Sequence, residues 1–429
     1  MTSFARVRYL LGHRVAKNAT AGFIVQISAF VAPLLVVPYL SRVLSTEHYG
    51  LIAFSTTFNF YFITLVEYGF NLTATRRIAV HSDNPEMVAR ITWSVYAAKA
   101  LLTLIGFVIL VTASLSVPKF RPHVPLLCIG YLAVLGDLLF PIWLFQGLQK
   151  MQKLIWRDLT SKLLSLTLIF LFVRTDRDYL LAAGFQAGAT VIAGLIGLGT
   201  VPLVLQHRWV PPSWEEARMA LREGWPVFLS MVSFTITSTT GVLFLELKGG
   251  PQDVAHFVVA YRLVVALRGL VDPLKAALYP HISRMAARSK TQAIRFLDKY
   301  GLVLTLPFLF GSLSLLFAAP WMIRIFGGPK YSASIPVLQV LALSPFLLAC
   351  QQNYSTLFML TFGYEKRWSR FVLQSTLLHF ALLIPSIFSM QPPLAVAFTM
   401  MFVDAFMLTR TYLFYRRHSR LLTADFVPV

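Results

Sequence analysis

The chain has 429 residues, of which 57% are hydrophobic and only 13% are charged, and its mean hydropathy is +0.67. This composition excludes an ordinary soluble domain and predicts a protein that crosses a membrane many times. The formal net charge is +20, but the cations are dispersed over short polar segments and line no groove, so a nucleic-acid partner is excluded as well.

Apolar runs of about 20 residues, the length of a helix that crosses a bilayer, recur along the whole chain. They predict an all-α integral membrane protein with about twelve transmembrane spans. In chain order the spans cover residues 20–39, 51–70, 91–111, 125–145, 160–173, 179–205, 226–247, 254–278, 302–326, 335–362, 371–388 and 394–414. Span 5 is the shortest, and it reaches bilayer length only if the polar residues 157–162 form its first turns at the interface.

Positive residues flank these spans unevenly. On the side that holds both termini we count 25 Lys and Arg, and on the opposite side we count 8. Because the cytoplasmic flanks of membrane proteins carry the excess of Lys and Arg, both termini are expected to lie in the cytoplasm.

A polar break at residues 206–223 has six predicted spans on each side. It predicts two six-helix lobes, residues 1–210 and 211–429. Many transporters are built from such repeats, and their substrates bind between the repeats. The most basic loop, residues 279–301, mixes cations with apolar residues and predicts an amphipathic helix that lies on the membrane surface.

Five cations lie deep inside predicted spans rather than at the span ends, and each costs there roughly 2.5 to 3.5 kcal/mol even on a lenient insertion scale. They are Lys99, Arg262, Arg268, Lys275 and Arg410. Neither Lys99 nor Arg262 has a carboxylate three or four residues away, so each needs a partner from another helix or an anionic ligand. Arg268 and Asp272 have i, i+4 spacing, so a salt bridge within this helix is the alternative to an anion site there.

Carboxylates inside the spans form a second set of candidates. Glu246 lies at the outer end of span 7, and the four others are Glu67, Asp137, Asp272 and Asp404. A carboxylate in a low-dielectric environment can carry a proton or hold a cation. We therefore predict these four as ion-coupling residues, with a proton or sodium as the coupling ion. In the alternative interpretation, Asp137 and Asp404 are only structural partners for Lys99 or Arg410.

The chain contains no Walker loop, HExxH or GxSxG motif. Without a nucleotide site, uphill transport would need an ion gradient or a partner. Cys128 and Cys350 lie in apolar spans and imply neither a disulfide framework nor a metal site. Span 6 contains a cluster of glycines that predicts close helix packing: Gly184, Gly188, Gly194, Gly197 and Gly199.

Three segments carry a family resemblance. They are Pro38-Tyr-Leu-Ser-Arg-Val-Leu44, Glu67-Tyr-Gly-Phe-Asn-Leu-Thr-Ala-Thr-Arg-Arg77 and Pro141-Ile-Trp-Leu-Phe-Gln-Gly147. In these segments, and less strongly along nearly the whole chain, the sequence resembles the Wzx-type O-antigen flippases of the multidrug, oligosaccharidyl-lipid and polysaccharide exporter superfamily.

The resemblance implies two lobes around a central cavity, and a substrate of undecaprenyl pyrophosphate that carries an oligosaccharide repeat unit. It further implies alternating access in the bacterial inner membrane, no enzyme activity, and a polysaccharide polymerase and a chain-length regulator as partners. A pyrophosphate is the anion that the buried cations need. The predicted substrate-binding residues are therefore the five buried cations, Lys99, Arg262, Arg268, Lys275 and Arg410, with Arg76 and Asn71 from the motif at Glu67.

Two other classes of function stay open. A multidrug or cation antiporter of the same superfamily would have a neutral or acidic cavity, whereas here the cations outnumber the mid-depth carboxylates. An integral membrane enzyme acting on lipid-linked sugars would usually carry a large extramembrane loop with acidic catalytic residues. The longest outer loop of this chain spans only about a dozen residues.

Overall fold

The computed structural model describes the backbone of residues 34–150 and 152–424, and the side chains of residues 34–150, 160–275 and 278–420. The regular elements of these residues are helices. The first ten are α1 (Leu34–Val43), α2 (Thr46–Glu67), α3 (Phe70–Val80), α4 (Pro85–Ser116), α5 (Val124–Gly130), α6 (Leu132–Leu139), α7 (Ile142–Gly147), α8 (Gln152–Phe172), α9 (Tyr179–Val204) and α10 (Trp214–Lys248). The next eight are α11 (Pro251–Arg268), α12 (Val271–Arg288), α13 (Lys290–Phe317), α14 (Ala319–Phe326), α15 (Ser334–Leu341), α16 (Ser344–Tyr354), α17 (Glu365–Ser389) and α18 (Pro392–Ala424).

Ten helical stretches of the described residues are long and apolar enough to cross a membrane, and each coincides with a predicted span. Spans 1 and 5 correspond to shorter apolar helices, Leu34–Val43 and Thr160–Phe172. The N-terminal part of span 1 lies outside the described residues. The all-α, multi-spanning fold is therefore confirmed, with ten spans of full length rather than twelve in the part of the chain that is described.

The chain divides into two compact units, one that ends at Leu243 and one that begins at Phe244. The boundary falls inside α10, so most of this helix belongs to the first unit and its C-terminal end to the second. The two lobes predicted to meet between residues 210 and 211 stay a prediction. Each unit is described below by itself.

The basic loop at residues 279–301 does not form a separate surface helix, and that expectation is wrong. Instead α12 and α13 meet at Ser289, whose extended backbone ends one helix and whose Oγ accepts a hydrogen bond of 3.3 Å from the backbone N–H of Gln292. The apolar residues of the loop explain the difference. Ile282, Ile294 and Leu297 pack in a buried cluster of the second unit rather than against lipid.

Only part of the glycine cluster packs closely. A Cβ atom on Gly194 of α9 would lie 2.7 Å from the carbonyl oxygen of Gly136 and 2.7 Å from the Cβ of Leu139, both on α6. Among the side chains and backbone that the structure describes, no atom outside the helix itself lies within 4 Å of the corresponding positions at Gly188 and Gly199. Close packing of α9 on α6 therefore depends on a subset of the predicted glycines, because a helix presents only one face to its neighbour.

We predict that Gly194→Ala destabilises the protein by about 1 to 3 kcal/mol, because the added methyl group is forced against backbone of α6. The matched control on the same helix is Gly188→Ala, which should be neutral or stabilising by about 0.4 to 1 kcal/mol. Midpoints of thermal unfolding in detergent measure both variants. Equal midpoints would contradict the close contact of α9 and α6.

Candidate functional site

Lys99 on α4 is buried in the first unit, with a side chain that is 2% exposed. Its Nζ donates to the backbone carbonyl of Asp137 at 2.8 Å and to the carboxylate Oδ2 of the same residue at 3.0 Å. The ammonium also lies 4.8 Å from the ring centroid of Trp143. These contacts surround the charge on several sides.

The reason for this arrangement is the proline that follows Asp137. In a continuous helix the carbonyl of Asp137 would accept from the N–H four residues later, but that residue is Pro141, which has none. Helix α6 ends at Leu139, and the carbonyl of Asp137 receives only a long bond of 3.3 Å from the N–H of Phe140. Lys99 therefore satisfies a carboxylate that would otherwise be unpaired, and a backbone acceptor that would otherwise receive only this long bond.

Asp137 is the more accessible member of this pair, with 29% of its side chain exposed against 2% for Lys99. The structural pairing considered from the sequence is thus present. It places the carboxylate, rather than the ammonium, where a ligand or an ion could reach it. The functional roles of both residues stay predictions.

We predict that Lys99→Met costs about 3 to 5 kcal/mol of stability, because it leaves a half-buried carboxylate and a carbonyl without their donor. The double variant with Asp137→Asn should recover part of the loss, since no unpaired charge remains. Arg90→Met is the matched control on the same helix, because its pair with Glu86 is exposed, and it should change stability by about 0 to 1 kcal/mol. Equal losses for Lys99→Met and Arg90→Met would contradict this interpretation of the pair.

A second charged cluster lies in the second unit, where two spans are interrupted. Arg268 ends α11, and Ser344 begins α16 after a break that follows α15. The Nη1 of Arg268 donates to the Oγ of Ser344 at 2.9 Å and to the Oδ2 of Asp404 on α18 at 3.1 Å. The hydroxyl of Ser344 donates to the same carboxylate oxygen at 2.5 Å.

The pairings considered from the sequence for Arg268 and for Asp404 are therefore corrected. Arg268 pairs with Asp404 instead of Asp272, because the turn at Gly269 and Leu270 puts residues 268 and 272 on different helices. Asp272 pairs with Lys275 at 2.7 Å, one turn along α12. The intrahelical salt bridge thus exists for Lys275 and not for Arg268.

Two of the predicted cations have no acidic partner. The guanidinium groups of Arg262 and Arg410 form no ion pair or hydrogen bond with any residue that the structure describes. Arg262 is half-buried on α11, roughly 16 Å from its first residue at a rise of 1.5 Å per residue. Arg410 lies over the rings of Phe371 and Phe406, at 4.8 and 5.8 Å from their centroids.

The motif at Glu67 marks a sharp break between α2 and α3. Tyr68 and Gly69 both have positive φ angles, 46° and 80°, and a Cβ on Gly69 would lie 2.6 Å from a methyl carbon of Val227 on α10. Glycine is therefore required here by backbone conformation and by close approach. Asn71 donates to the Oε1 of Glu67 at 2.5 Å, so these two predicted site residues bind one another.

The end of the motif joins α3 to the start of α10. Arg77 pairs with Glu216 at 2.5 Å, and both side chains are nearly buried. Arg76 lies 3.4 Å from Glu223, but its side chain is 72% exposed. Arg77 is therefore a structural residue, whereas Arg76 has a guanidinium that is largely free of protein.

Sequence reasoning missed the groups that hold the buried charges, namely Trp143 and Ser344. A signal for each was present in the sequence. Pro141 follows Asp137 by four residues, and Pro345 directly follows Ser344, so both places were candidates for interrupted helices with unpaired backbone groups. No group of three or more His, Cys, Asp or Glu side chains that could hold a metal ion occurs among the residues whose side chains are described.

An all-α bundle with cations and carboxylates held inside interrupted spans is the architecture of a membrane transporter. The chain belongs to the family described as "Polysaccharide biosynthesis protein", which matches residues 15–286. This result confirms the family resemblance of the sequence.

Two relatives carry the name "Putative O-antigen transporter". The one from Escherichia coli (strain K12) is 33% identical over 402 residues, which cover 93% of this chain and 96% of the relative. The one from Shigella dysenteriae is 27% identical over 403 residues, which cover 91% and 98%. Both names describe transport and not an enzyme activity, in agreement with the prediction from sequence.

Solved structures of transporters share the fold. The inward-facing conformation of a multidrug resistance MATE family transporter of the MOP superfamily has a TM-score of 0.71 and 16% identity, and the alignment covers 94% of this chain and 99% of that one. The lipid II flippase MurJ in an inward closed conformation has a TM-score of 0.69 and 14% identity, with 96% and 94% covered. At these identities the likeness concerns the fold alone.

Proposed function

We propose that the protein is a flippase for a lipid-linked oligosaccharide, the undecaprenyl-pyrophosphate-linked repeat unit of an O-antigen. Its family membership and the names of its two relatives support this function. The observation that carries the proposal is the guanidinium of Arg262, which lies at mid-span without an acidic partner among the described residues. A half-buried cation at this depth attracts an anion, and the diphosphate of the substrate supplies one.

The contacts of the predicted substrate-binding residues suggest different roles. Lys99 and Arg268 are each held by a carboxylate, so binding a diphosphate would require them to exchange partners. Arg262 needs no such exchange. We therefore propose that Arg262 contacts the diphosphate directly. A cation substrate, as in a multidrug antiporter, would be repelled by the same side chain.

We predict that Arg262→Glu abolishes export of the glycan repeat, because the reversed charge faces the diphosphate in a medium of low dielectric constant. Arg262→Lys should export about tenfold less than wild type, since the charge remains but the bidentate hydrogen bonds of the guanidinium are lost. Surface O-antigen in cells that depend on this protein is the readout. Expression and membrane insertion must match the wild type.

The matched control is Arg295→Glu, which reverses an exposed cation on α13 of the same unit and should leave export unchanged. Normal export by Arg262→Glu at normal expression would place the diphosphate elsewhere. Loss of export in both variants would indicate a general effect of negative charge on this unit.

We further propose that transport proceeds by alternating access and is coupled to a proton or a sodium ion through Asp137 or Asp404. Each carboxylate is paired with a cation and lies beside an interrupted helix. When it is ionised it holds that cation, and when it is protonated or binds sodium the cation is released. Ion occupancy is thereby linked to substrate affinity, with a coupling free energy of about 1 to 3 kcal/mol.

Translocation in proteoliposomes tests the coupling. Asp137→Asn or Asp404→Asn should remove the acceleration caused by an imposed pH or sodium gradient while downhill flipping continues, because the amide cannot exchange the ion. Ser344→Ala is the control, because it removes a contact of Asp404 but leaves the carboxylate able to titrate. A wild-type rate that does not respond to either gradient would show facilitated diffusion with purely structural carboxylates.

The proposed function also assigns location and partners. We propose a place in the bacterial inner membrane with both termini in the cytoplasm, as the distribution of Lys and Arg predicts. A polysaccharide polymerase and a chain-length regulator are the proposed partners, since the flipped repeat units must be joined on the far side of the membrane. No cofactor other than the coupling ion is proposed.

A further inference from the structure

The hairpin of α17 and α18 has a basic end. The two helices are antiparallel, because the Ser386 and Thr399 hydroxyls meet at 3.4 Å near the connection while the Phe371 and Phe414 rings lie 6.0 Å apart at the other end. We call this other end, Glu365–Phe371 with Arg410–Arg420, the open end of the hairpin. It has exposed cations that form no ion pair with described residues: Lys366, Arg367, Arg370, Arg416 and Arg417.

Few carboxylates accompany these cations. Between residues 364 and 420 the sequence contains only Glu365 and Asp404, and Asp404 is bound by Arg268 and Ser344. Asp298 of α13 also approaches the open end, where its Oδ1 accepts a hydrogen bond of 2.6 Å from the hydroxyl of Tyr415, and its charge offsets only one of these cations. The open end is therefore strongly positive, and it would attract an anion.

Arg410 differs from the cations at the helix ends. It lies one turn before Phe414 on α18, and its guanidinium carbon Cζ is 4.8 Å from the ring centroid of Phe371, which is itself buried. Stacking satisfies the face of a guanidinium but leaves its N–H groups, which lie at the edge, available for hydrogen bonds. These N–H groups form the fork that binds phosphate oxygens in pairs.

The general bias toward cytoplasmic Lys and Arg explains the exposed cations but not Arg410. That bias concerns residues that flank a span, whereas Arg410 lies inside the twelfth span and has no acid to pair with among the described residues. Contacts between aromatic rings of the protein hold the site over which Arg410 lies. Phe371 packs on Phe414, and Phe414 stacks on His418 at 3.8 Å between ring centroids, so the rings below the guanidinium are fixed.

Exposed leucines of both helices lie within about two turns of this cluster. Leu373 and Leu377 of α17 are 58% and 63% exposed, and Leu413 of α18 is 55% exposed. A dissolved phosphate ion has no apolar part that could contact these leucines. A phospholipid has acyl chains, which run along the spans directly beneath its phosphate group.

We propose that the open end of the hairpin is a binding site for an anionic phospholipid such as phosphatidylglycerol. Arg410 binds the phosphate, Arg370 and Arg416 stand at the rim, and the acyl chains lie along Leu373 and Leu377. Arg410 then holds a resident lipid of the leaflet predicted to face the cytoplasm, and it is not part of the translocation site. The inference does not depend on the identity of the transported substrate.

Lipid titration of the purified full-length protein in neutral detergent, followed by native mass spectrometry, tests the site. Wild type should bind phosphatidylglycerol in preference to phosphatidylcholine, and Arg410→Gln should weaken this binding by at least about tenfold through loss of a charge-assisted contact. Should Arg410→Gln fold poorly, the pair Arg370→Gln and Arg416→Gln, both at exposed positions, should also weaken binding.

The control variant carries Arg288→Gln and Arg295→Gln, which remove two exposed cations of the same unit that have no stacked ring, and it should bind phosphatidylglycerol like wild type. A loss of the same size in this control would reduce the effect to general surface charge and overturn the proposal. Preferential binding of undecaprenyl diphosphate over phosphatidylglycerol, with the same loss in Arg410→Gln, would assign the site to the transported lipid. Competition by dissolved pyrophosphate at equal concentration would remove the requirement for a membrane lipid.

Discussion

The structure depends on one constraint, which is that a charge inside the hydrocarbon region must be compensated by another group. Lys99 and Arg268 meet it with a carboxylate from another helix and with further polar groups. Desolvation of both partners offsets much of the Coulomb attraction in such pairs, so they contribute little net stability. Their effect is specificity, since removing either partner leaves a charge that the surroundings cannot accept.

The same constraint applies to the backbone and explains why the charges lie beside interrupted helices. Pro141 leaves the carbonyl of Asp137 without its helical donor, and Lys99 replaces that donor. At the break before Pro345, Ser344 places a hydroxyl between Arg268 and Asp404. A break supplies polar groups that a buried charge needs, and the charge satisfies backbone that the break has freed. Neither feature would be stable alone at this depth.

Much of the fold followed from the sequence, because hydrophobic length is a local property that the bilayer enforces on each helix separately. The positions of the buried charges followed for the same reason. Their partners followed only in part, since pairing is decided by which helix faces which. Asp137 was considered as a partner of Lys99 and is one, whereas Asp404 was considered for Lys99 or Arg410 and pairs with Arg268. The i, i+4 spacing of Arg268 and Asp272 suggested a pair, but the turn at Gly269 separated them, and Asp404, 136 residues away in sequence, took the place of Asp272. The prediction of a surface helix at residues 279–301 was wrong for a similar reason, because its apolar residues pack against protein neighbours that the sequence did not reveal.

Whether a cation in a span has an acidic partner is a better guide to its role than its depth in the membrane. A cation held by a carboxylate and a carbonyl can bind a ligand only by exchanging those contacts, so its loss should appear first as lost stability. A cation without an acidic partner is destabilised by desolvation until an anion binds to it. Substituting such a cation should therefore appear first as weaker binding of the anion.

Among the described residues, Arg262 and Arg410 are of this second kind, and they differ in one respect. The rings of Phe371 and Phe406 compensate Arg410 in part at all times, which suits a ligand that stays bound. No ring of the described residues lies over Arg262 in this way, which suits a ligand that must arrive and leave in each cycle.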